Sequence, residues 1–184
     1  MLKVIASLFN KFYGLINRVK VVLQKAEFAE HGNNINIGRN CNFIAKNIHL
    51  GHHVHIGPYA SFISSIAHIY IGNYVMFGPH VTIRGGDHRI DIIGKHIYEI
   101  SEAEKLPEND KDVIIEDGCW IGCNVTILKG VTIGRGSVIG AGSLVTKSIP
   151  PYSIAAGVPA KVLRERFTEE EITLHEKILK ERNI

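Results

Sequence analysis

The sequence predicts an all-β fold, a parallel β-helix of six-residue repeats with an amphipathic helix before it and a second helix after it. Three observations predict this fold. Aliphatic residues recur at steps of six through the middle of the chain, apolar residues at helical spacing precede them, and a helix-capping pattern follows them. We divide the chain into an N-terminal helical segment (1–30), a β-helix (31–160) with a protruding loop (84–112), and a C-terminal helical tail (161–184).

The six-residue steps are longest in the second half of the chain, where they run without a break through Ile115, Ile121, Ile127, Ile133, Ile139 and Val145. Shorter series upstream are Ile37 and Phe43, then Leu50, Ile56 and Phe62, then Ile71, Phe77 and Ile83. In such a solenoid each hexapeptide makes one short strand and one corner, and the stepping residue points inward. Glycine follows most stepping residues and permits a tight corner. Three hexapeptides close one triangular coil, so we expect about five coils.

The first segment carries apolar residues at helical spacing with five lysines and arginines between them, which predicts a basic amphipathic helix or a helix pair broken near Gly14. One interpretation is that it packs on the rest of the fold or on a sister subunit, where it would cover the first coil. The other is that it lies on an anionic membrane surface.

The last segment predicts a helix that covers the other end of the coils. Thr168 is followed three residues later by Glu171, a capping box, and helical spacing continues to about Lys180. Before it, Pro150 and Pro151 are expected to end the repeats, because proline cannot donate to a strand ladder.

Composition excludes several classes of protein. The chain has 184 residues and a formal net charge of +3, too small an excess to indicate nucleic acid as the main partner. Three cysteines without a cleavable signal pattern favour a reducing compartment over a disulfide framework. No run of about 18 apolar residues is present, so we expect a cytoplasmic protein, with membrane contact only at the inner face.

The longest break in the repeat separates Ile83 from Ile115 and forms the protruding loop. Loops of this length inside a compact solenoid are uncommon and are often functional. His88 lies near the root of the loop, just beyond the last regular strand, where a side chain can be held in place. This position suits a general base.

Four segments resemble one family. They read FGPHVTIRGGDH over 77–88, GCWIGCNV over 118–125, GSVIGAGSLVTK over 136–147 and AGVPAKVLR over 156–164. Together they resemble the maltose and galactoside O-acetyltransferases of the hexapeptide-repeat superfamily, and also its polysaccharide-modifying and xenobiotic members. The resemblance runs from about Ile71 to Arg164 and does not cover the first thirty residues.

This resemblance implies a left-handed β-helix and a homotrimer whose active sites lie between subunits. It also implies acetyl-CoA as co-substrate, with no metal, and His88 as the catalytic residue. The acetyl-CoA contacts carried over by position are Trp120, Cys123, Ala141, Thr146, Lys147, Lys161 and Arg164.

Two departures from the family pattern concern the substrates. Cys123 replaces a serine of the sugar enzymes, although a backbone amide can make the same contact. The asparagine and aspartate that hold the sugar have no clear counterpart in YASFISSI over 59–66. The acceptor is therefore expected to differ from maltose and galactosides.

The function predicted from these observations is acetyl transfer from acetyl-CoA to a hydroxyl of a sugar or glycan. His88 would remove the hydroxyl proton, and backbone amides near Gly122 or Ala141 would stabilise the oxyanion. The alternatives are O-acetylation of an antibiotic, a zinc carbonic anhydrase on the same solenoid, and a structural β-helix. The histidines at 52, 53 and 55 could bind a metal or line the groove, and Cys119 with Cys123 is a poor zinc pair because no second pair exists.

Overall fold

The computed structural model of the chain describes residues 2–183, which form two α-helices and seventeen strands. The helices are α1 (Leu2–Ala26) and α2 (Glu169–Glu181). The strands β1 to β17, in chain order, are Glu30–His31, Asn36–Ile37, Asn42–Phe43, Ile48–Leu50, His55–Ile56, Ser61–Ile63, Ile69–Ile71, Met76–Phe77, Thr82–Arg84, Val113–Ile115, Trp120–Ile121, Thr126–Ile127, Thr132–Ile133, Val138–Ile139, Leu144–Val145, Ser153–Gly157 and Ala160–Glu165.

The strands form three sheets, parallel throughout except for β17, that make the sides of a prism. The first sheet contains β1, β4, β7, β10 and β13, and the third contains β3, β6, β9, β12 and β15. The second contains β2, β5, β8, β11, β14, β16 and β17. Each consecutive group of three strands supplies one strand to every sheet, so five coils are complete, and β16 begins a sixth. This architecture confirms the predicted parallel β-helix.

The six-residue steps form the core, as predicted. In the second sheet Ile56, Phe77, Ile121 and Ile139 stand in register on neighbouring strands, and all four are fully buried. Equivalent columns line the other two sheets. Each coil therefore buries apolar side chains against the coils before and after it, at roughly 2 kcal/mol for each large aliphatic side chain.

The corner glycines are required for a reason that differs from the predicted one. A Cβ on Gly78 would lie 2.6 Å from the backbone nitrogen of Cys123, and one on Gly122 would lie 2.6 Å from that of Ala141. These glycines therefore allow neighbouring coils to approach closely. Left-handed backbone at the corners is adopted largely by other residues, for example Tyr59 at φ 61° and Asn124 at φ 55°.

Among its described side chains, helix α1 contacts the coils near its C-terminal end. The side chain of Gln24 donates to the Cys41 carbonyl, that of Lys25 donates to the Ile35 carbonyl, and Val21 packs against the core. Phe28 then covers the first coil and contacts Phe43. The helix is continuous, so the break near Gly14 is not present. No helix within residues 2–183 combines the length and apolar character needed to cross a membrane.

The C-terminal region differs from prediction in two respects. The prolines do not end the repeats: they lie at a corner, where no ladder donor is needed, and β16 adds another parallel strand to β14. Residues 161–165, placed in a helical tail, instead belong to β17, which pairs antiparallel with β16. The capping box is present, because Glu171 N–H donates to Thr168 Oγ1 at 3.3 Å and Thr168 N–H donates to the Glu171 carboxylate at 2.8 Å.

The protruding loop leaves the prism between β9 and β10 and returns through three short helical turns, at Ile97–Glu99, Glu102–Glu104 and Pro107–Asn109. Its two ends pair with each other: Asp87 N–H donates to the Asn109 carbonyl and Lys111 N–H to the Gly85 carbonyl, both at 2.9 Å. The loop is thus closed at its root.

Candidate active site

His88 lies at the root of the loop, four residues after β9 ends at Arg84. It is exposed and borders a cavity of about 370 Å³. The other residues around this cavity are Ile63, Ser64, Ser65, Arg84, Gly86, Asp87, Glu102, Lys105 and Asp110. The cavity is open to solvent, so a neutral imidazole here could take a proton from a hydroxyl group that enters it.

The residue before His88 is anchored on two sides. Asp87 Oδ2 lies 2.7 Å from Lys129 Nζ, and Asp87 Oδ1 accepts a hydrogen bond of 3.0 Å from Asn109 Nδ2. Although burial opposes it, these bonds lower the pKa of the Asp87 carboxyl, so the group stays ionised. Asn109 Nδ2 also lies 3.5 Å from the His88 carbonyl oxygen. The backbone beside His88 is therefore held by Lys129, in the turn between β12 and β13, and by Asn109, at the returning end of the loop.

Replacing Asn109 by alanine should remove this anchor without touching the reacting groups. We expect kcat to fall about 10-fold, because small misplacement of a base costs rate steeply, with little change in KM for acetyl-CoA. Steady-state kinetics check this, with Asn47→Ala as the control, since that amide donates to the Ser64 carbonyl at the other side of the cavity. Equal losses in both variants would show only a general loss of structure.

Three of the charged groups in this cavity form ion pairs, one lysine with two carboxylates, which together keep one negative charge. Lys105 Nζ lies 3.1 Å from Asp110 Oδ2 and 3.4 Å from Glu102 Oε2. Although burial opposes it, these two carboxylates raise the pKa of Lys105. Arg84 borders the same cavity, is exposed, and forms no ion pair with any residue of the chain from 2 to 183. Sequence reasoning missed Arg84, and its place as the last strand residue before the loop is the signal that could have found it.

Cys123 and Ala141, two of the predicted acetyl-CoA contacts, lie at one corner between the second and third sheets. Gly142 N–H donates to the Cys123 carbonyl at 2.8 Å, which stacks the two turns directly on each other. Cys123 is half-buried and Ala141 is exposed, so this corner is open to solvent along one edge.

Trp120 lies on the outer face of the second sheet, between Met76 and Val138 of the neighbouring strands. It is 54% exposed and borders a shallow depression with Ile154 and Tyr74. Met76 beside it is also 54% exposed, so Trp120 belongs to an apolar patch on the surface of the sheet and not to the core.

The four polar contacts predicted for acetyl-CoA are all exposed near the last coils. Thr146 and Lys147 directly follow β15, whereas Lys161 and Arg164 lie on β17, opposite Ala156 and Ile154 of β16. The two pairs thus lie at different places around the prism, one after the third sheet and one on the edge of the second.

Within one chain, His88 lies away from the Cys123–Ala141 corner. It follows a strand of the third sheet and lies towards the first sheet, whereas the Cys123–Ala141 corner lies between the second and third sheets. Thr146 and Lys147, by contrast, follow β15, which belongs to the same third sheet as the strand before His88, two coils further along. None of the seven predicted acetyl-CoA contacts borders the His88 cavity.

The metal alternatives have little structural support. His52 Nδ1 accepts from Asn33 N–H, the His53 ring stacks on Tyr74 at 4.6 Å, and His55 pairs with Met76 in the second sheet. No group of three or more His, Cys, Asp or Glu side chains among residues 2–183 is arranged to hold a metal ion. Burial raises the pKa of the Cys119 thiol to about 12, so this thiol is unsuited to act as a ligand or nucleophile.

Comparison with known proteins gives the family. The family model for bacterial transferase hexapeptide (six repeats) matches residues 112–147. A galactoside O-acetyltransferase of Lactococcus lactis is 37% identical over 140 residues, which are 70% of this chain and 62% of that enzyme. A probable macrolide acetyltransferase of Lysinibacillus sphaericus is 38% identical over 130 residues, 60% of this chain and 72% of that protein.

Comparison with solved structures gives the same family. A hexapeptide-repeat-containing acetyltransferase of Vibrio cholerae, in complex with acetyl coenzyme A, superimposes with a TM-score of 0.70 and 31% identity. The match covers 82% of this chain and 78% of the Vibrio chain. With the repeat, the coils and the loop histidine, these similarities show that the chain belongs to the hexapeptide-repeat acetyltransferases.

Proposed function

We propose that the chain is an O-acetyltransferase that moves an acetyl group from acetyl-CoA to a hydroxyl of a sugar or glycan, with His88 as the general base. The observation that carries this proposal is an exposed histidine at an anchored loop root, beside a cavity of about 370 Å³, on a scaffold whose relatives are acetyltransferases. The Vibrio relative was solved with acetyl coenzyme A, which supports the choice of donor.

The chemistry assigned to the residues is a single transfer. His88 takes the proton from the acceptor hydroxyl as that oxygen forms its bond to the thioester carbonyl carbon. The carbon–sulfur bond then breaks, and His88 returns the proton to the departing thiolate. We assign stabilisation of the oxyanion to a backbone N–H in the turn beside Gly122 or at Ala141, since the N–H of Gly122 itself donates to the Ile139 carbonyl at 2.8 Å. No acyl-enzyme is needed, which agrees with the burial of Cys119.

The proposed assembly is a homotrimer of left-handed β-helices with its active sites between subunits. The separation of His88 from the Cys123–Ala141 corner within one chain supports it, because a neighbouring subunit can bring the two halves of the site together. The proposed location is the cytoplasm, a reducing compartment that suits three free cysteines. Light scattering should give three times the chain mass, and a monomer that retains full activity would refute the shared site.

Lys161 and Arg164 are assigned to the phosphates of CoA in this proposal, together with Thr146 and Lys147. Replacing Lys161 by alanine should raise KM for acetyl-CoA about 10-fold with a smaller change in kcat, because it removes a charge-assisted contact made in ground and transition states alike. Lys46→Ala, an exposed lysine near the first coil, is the control. An unchanged KM in the Lys161 variant would move the CoA site elsewhere.

The experiment that tests the function is thiol release from acetyl-CoA with a panel of acceptors. Mono- and oligosaccharides, acidic and neutral polysaccharides, and a macrolide should be compared, since the Lysinibacillus relative gives the antibiotic alternative a specific basis. We expect turnover with at least one glycan and none without an acceptor. Turnover only with the macrolide would favour the alternative. Stoichiometric zinc in the purified chain, with hydration of carbon dioxide, would refute acetyl transfer.

A further inference from the structure

Helix α1 carries a broad apolar face that the rest of the chain does not cover. At 100° per residue its apolar residues occupy about half of the helix circumference. Each is between 43% and 83% exposed. These residues, which we call the apolar face of α1, are Leu2, Val4, Ile5, Leu8, Phe9, Phe12, Tyr13, Leu15, Ile16, Val19, Val22 and Leu23.

The other side of α1 is basic. Between Leu2 and Ala26 the sequence contains five lysines and arginines and no aspartate or glutamate. Lys3, Arg18 and Lys25 project opposite the apolar face, whereas Lys11 and Lys20 lie along its two borders. Lysines at such borders can bury their methylenes and extend their ammonium groups sideways to phosphate oxygens.

The attachment of α1 to the coils leaves this face free. Gln24 and Lys25 bond to coil carbonyls and Val21 packs on the core, all from outside the half of the helix that the apolar face occupies. In the same turn Val22 and Leu23 are 66% and 61% exposed. The body of the protein thus holds the helix by its polar side and turns its apolar side outward.

We propose that the apolar face of α1 inserts into the surface of an anionic lipid bilayer. The positive charge of α1, which no acidic residue of the helix balances, complements anionic head groups. An apolar face that covers half of the circumference suits a helix that lies parallel to the bilayer surface with that half buried. Pairing with a second copy of α1 would cover less of this face, because helices in a coiled coil bury only about two positions in seven. Three copies in the proposed trimer would bind together, so modest affinity for each helix would give firm attachment.

The test is cosedimentation of the full chain with vesicles of phosphatidylglycerol and phosphatidylcholine, and with vesicles of phosphatidylcholine alone. We expect binding to the anionic vesicles that weakens as salt is raised, and at least about 10-fold weaker binding to the neutral ones. Phe12→Gln, at the centre of the apolar face, should lower the partition coefficient at least about 10-fold. The matched control is Ser7→Gln, on the opposite side, which should change it less than about 2-fold.

Three outcomes would overturn the proposal. The unaltered chain could fail to bind anionic vesicles, or the two glutamine variants could lose binding equally while circular dichroism shows the same helix content. The third is a lower assembly mass for the Phe12→Gln variant than for the unaltered chain, measured without vesicles. That result would show that the apolar face of α1 is an interface between copies of the chain. Acetyl transfer to a soluble acceptor should be unchanged in Phe12→Gln, so this proposal and the proposed function fail independently.

Discussion

Replacing His88 by alanine should lower kcat for acetyl transfer about 100-fold or more. A positioned general base contributes this much when the nucleophile is a weakly acidic hydroxyl. Because His88 is exposed, borders a cavity and makes no core contact, the variant should keep the secondary structure and thermal stability of the parent chain. Initial rates at saturating acetyl-CoA, with a good glycan acceptor, measure the effect.

The control for this variant is His31→Ala. His31 is also exposed, but it lies on β1 in the first coil, remote from the loop. Its activity should stay within about 2-fold of the parent, since surface substitutions away from special features are nearly neutral. A His88 variant with undiminished turnover would remove the catalytic assignment.

The second large effect is expected at Gly122. An alanine Cβ there would stand 2.6 Å from the Ala141 nitrogen and 2.9 Å from the Ile139 carbonyl oxygen, both backbone atoms that cannot rotate away. The two coils must separate, which should lower the free energy of unfolding by about 1–3 kcal/mol. The same displacement moves the Ala141 amide, so KM for acetyl-CoA should rise about 10-fold.

Gly142→Asn is the matched control for this variant. Gly142 lies in the same corner at φ 72°, nothing would contact its Cβ within 4 Å, and Asn124 occupies the equivalent place one coil earlier at φ 55°. Asparagine tolerates this conformation, so the free energy of unfolding should change by less than about 1 kcal/mol. Denaturant titration distinguishes the two variants, and similar losses in both would mean that the corner is sensitive to any side chain.

Much of the fold could be read from the sequence because a solenoid repeats one physical requirement. Every stepping residue, from Ile37 to Val145, has to fill the same inward position, so a period of six identifies the core residue by residue. The start of α2 at Thr168 could also be predicted, because its capping box is a local pattern that depends on few distant contacts.

The incorrect predictions concern segments whose structure depends on tertiary contacts. Pro150 and Pro151 were expected to end the repeats, but they lie at a corner that needs no ladder donor, so β16 continues the second sheet. Residues 161–165 read as helical tail, but they pair with β16 before α2 begins. The continuity of α1 through Gly14 also overrode local preference, since one glycine costs a long helix only about 1 kcal/mol.

The candidate site was only partly predictable. His88 stood out because it lies beside a break in a regular repeat. Its anchor, Asn109, carries no such signal, because it depends on how the loop returns. Arg84 could have been noticed as the last strand residue before the loop, but not as a residue of the cavity. In the proposed trimer, His88 and the Cys123–Ala141 corner would meet only through contacts between subunits, which a single chain does not contain.

The most direct test of a catalytic site shared between subunits is a crystal structure of the assembled protein with bound coenzyme A. We expect a CoA sulfur atom lying in a cleft between His88 of one subunit and the Cys123–Ala141 corner of its neighbour, with the imidazole within hydrogen-bonding reach of an acceptor hydroxyl. A sulfur atom bound elsewhere, with His88 facing open solvent away from every cleft, would contradict it.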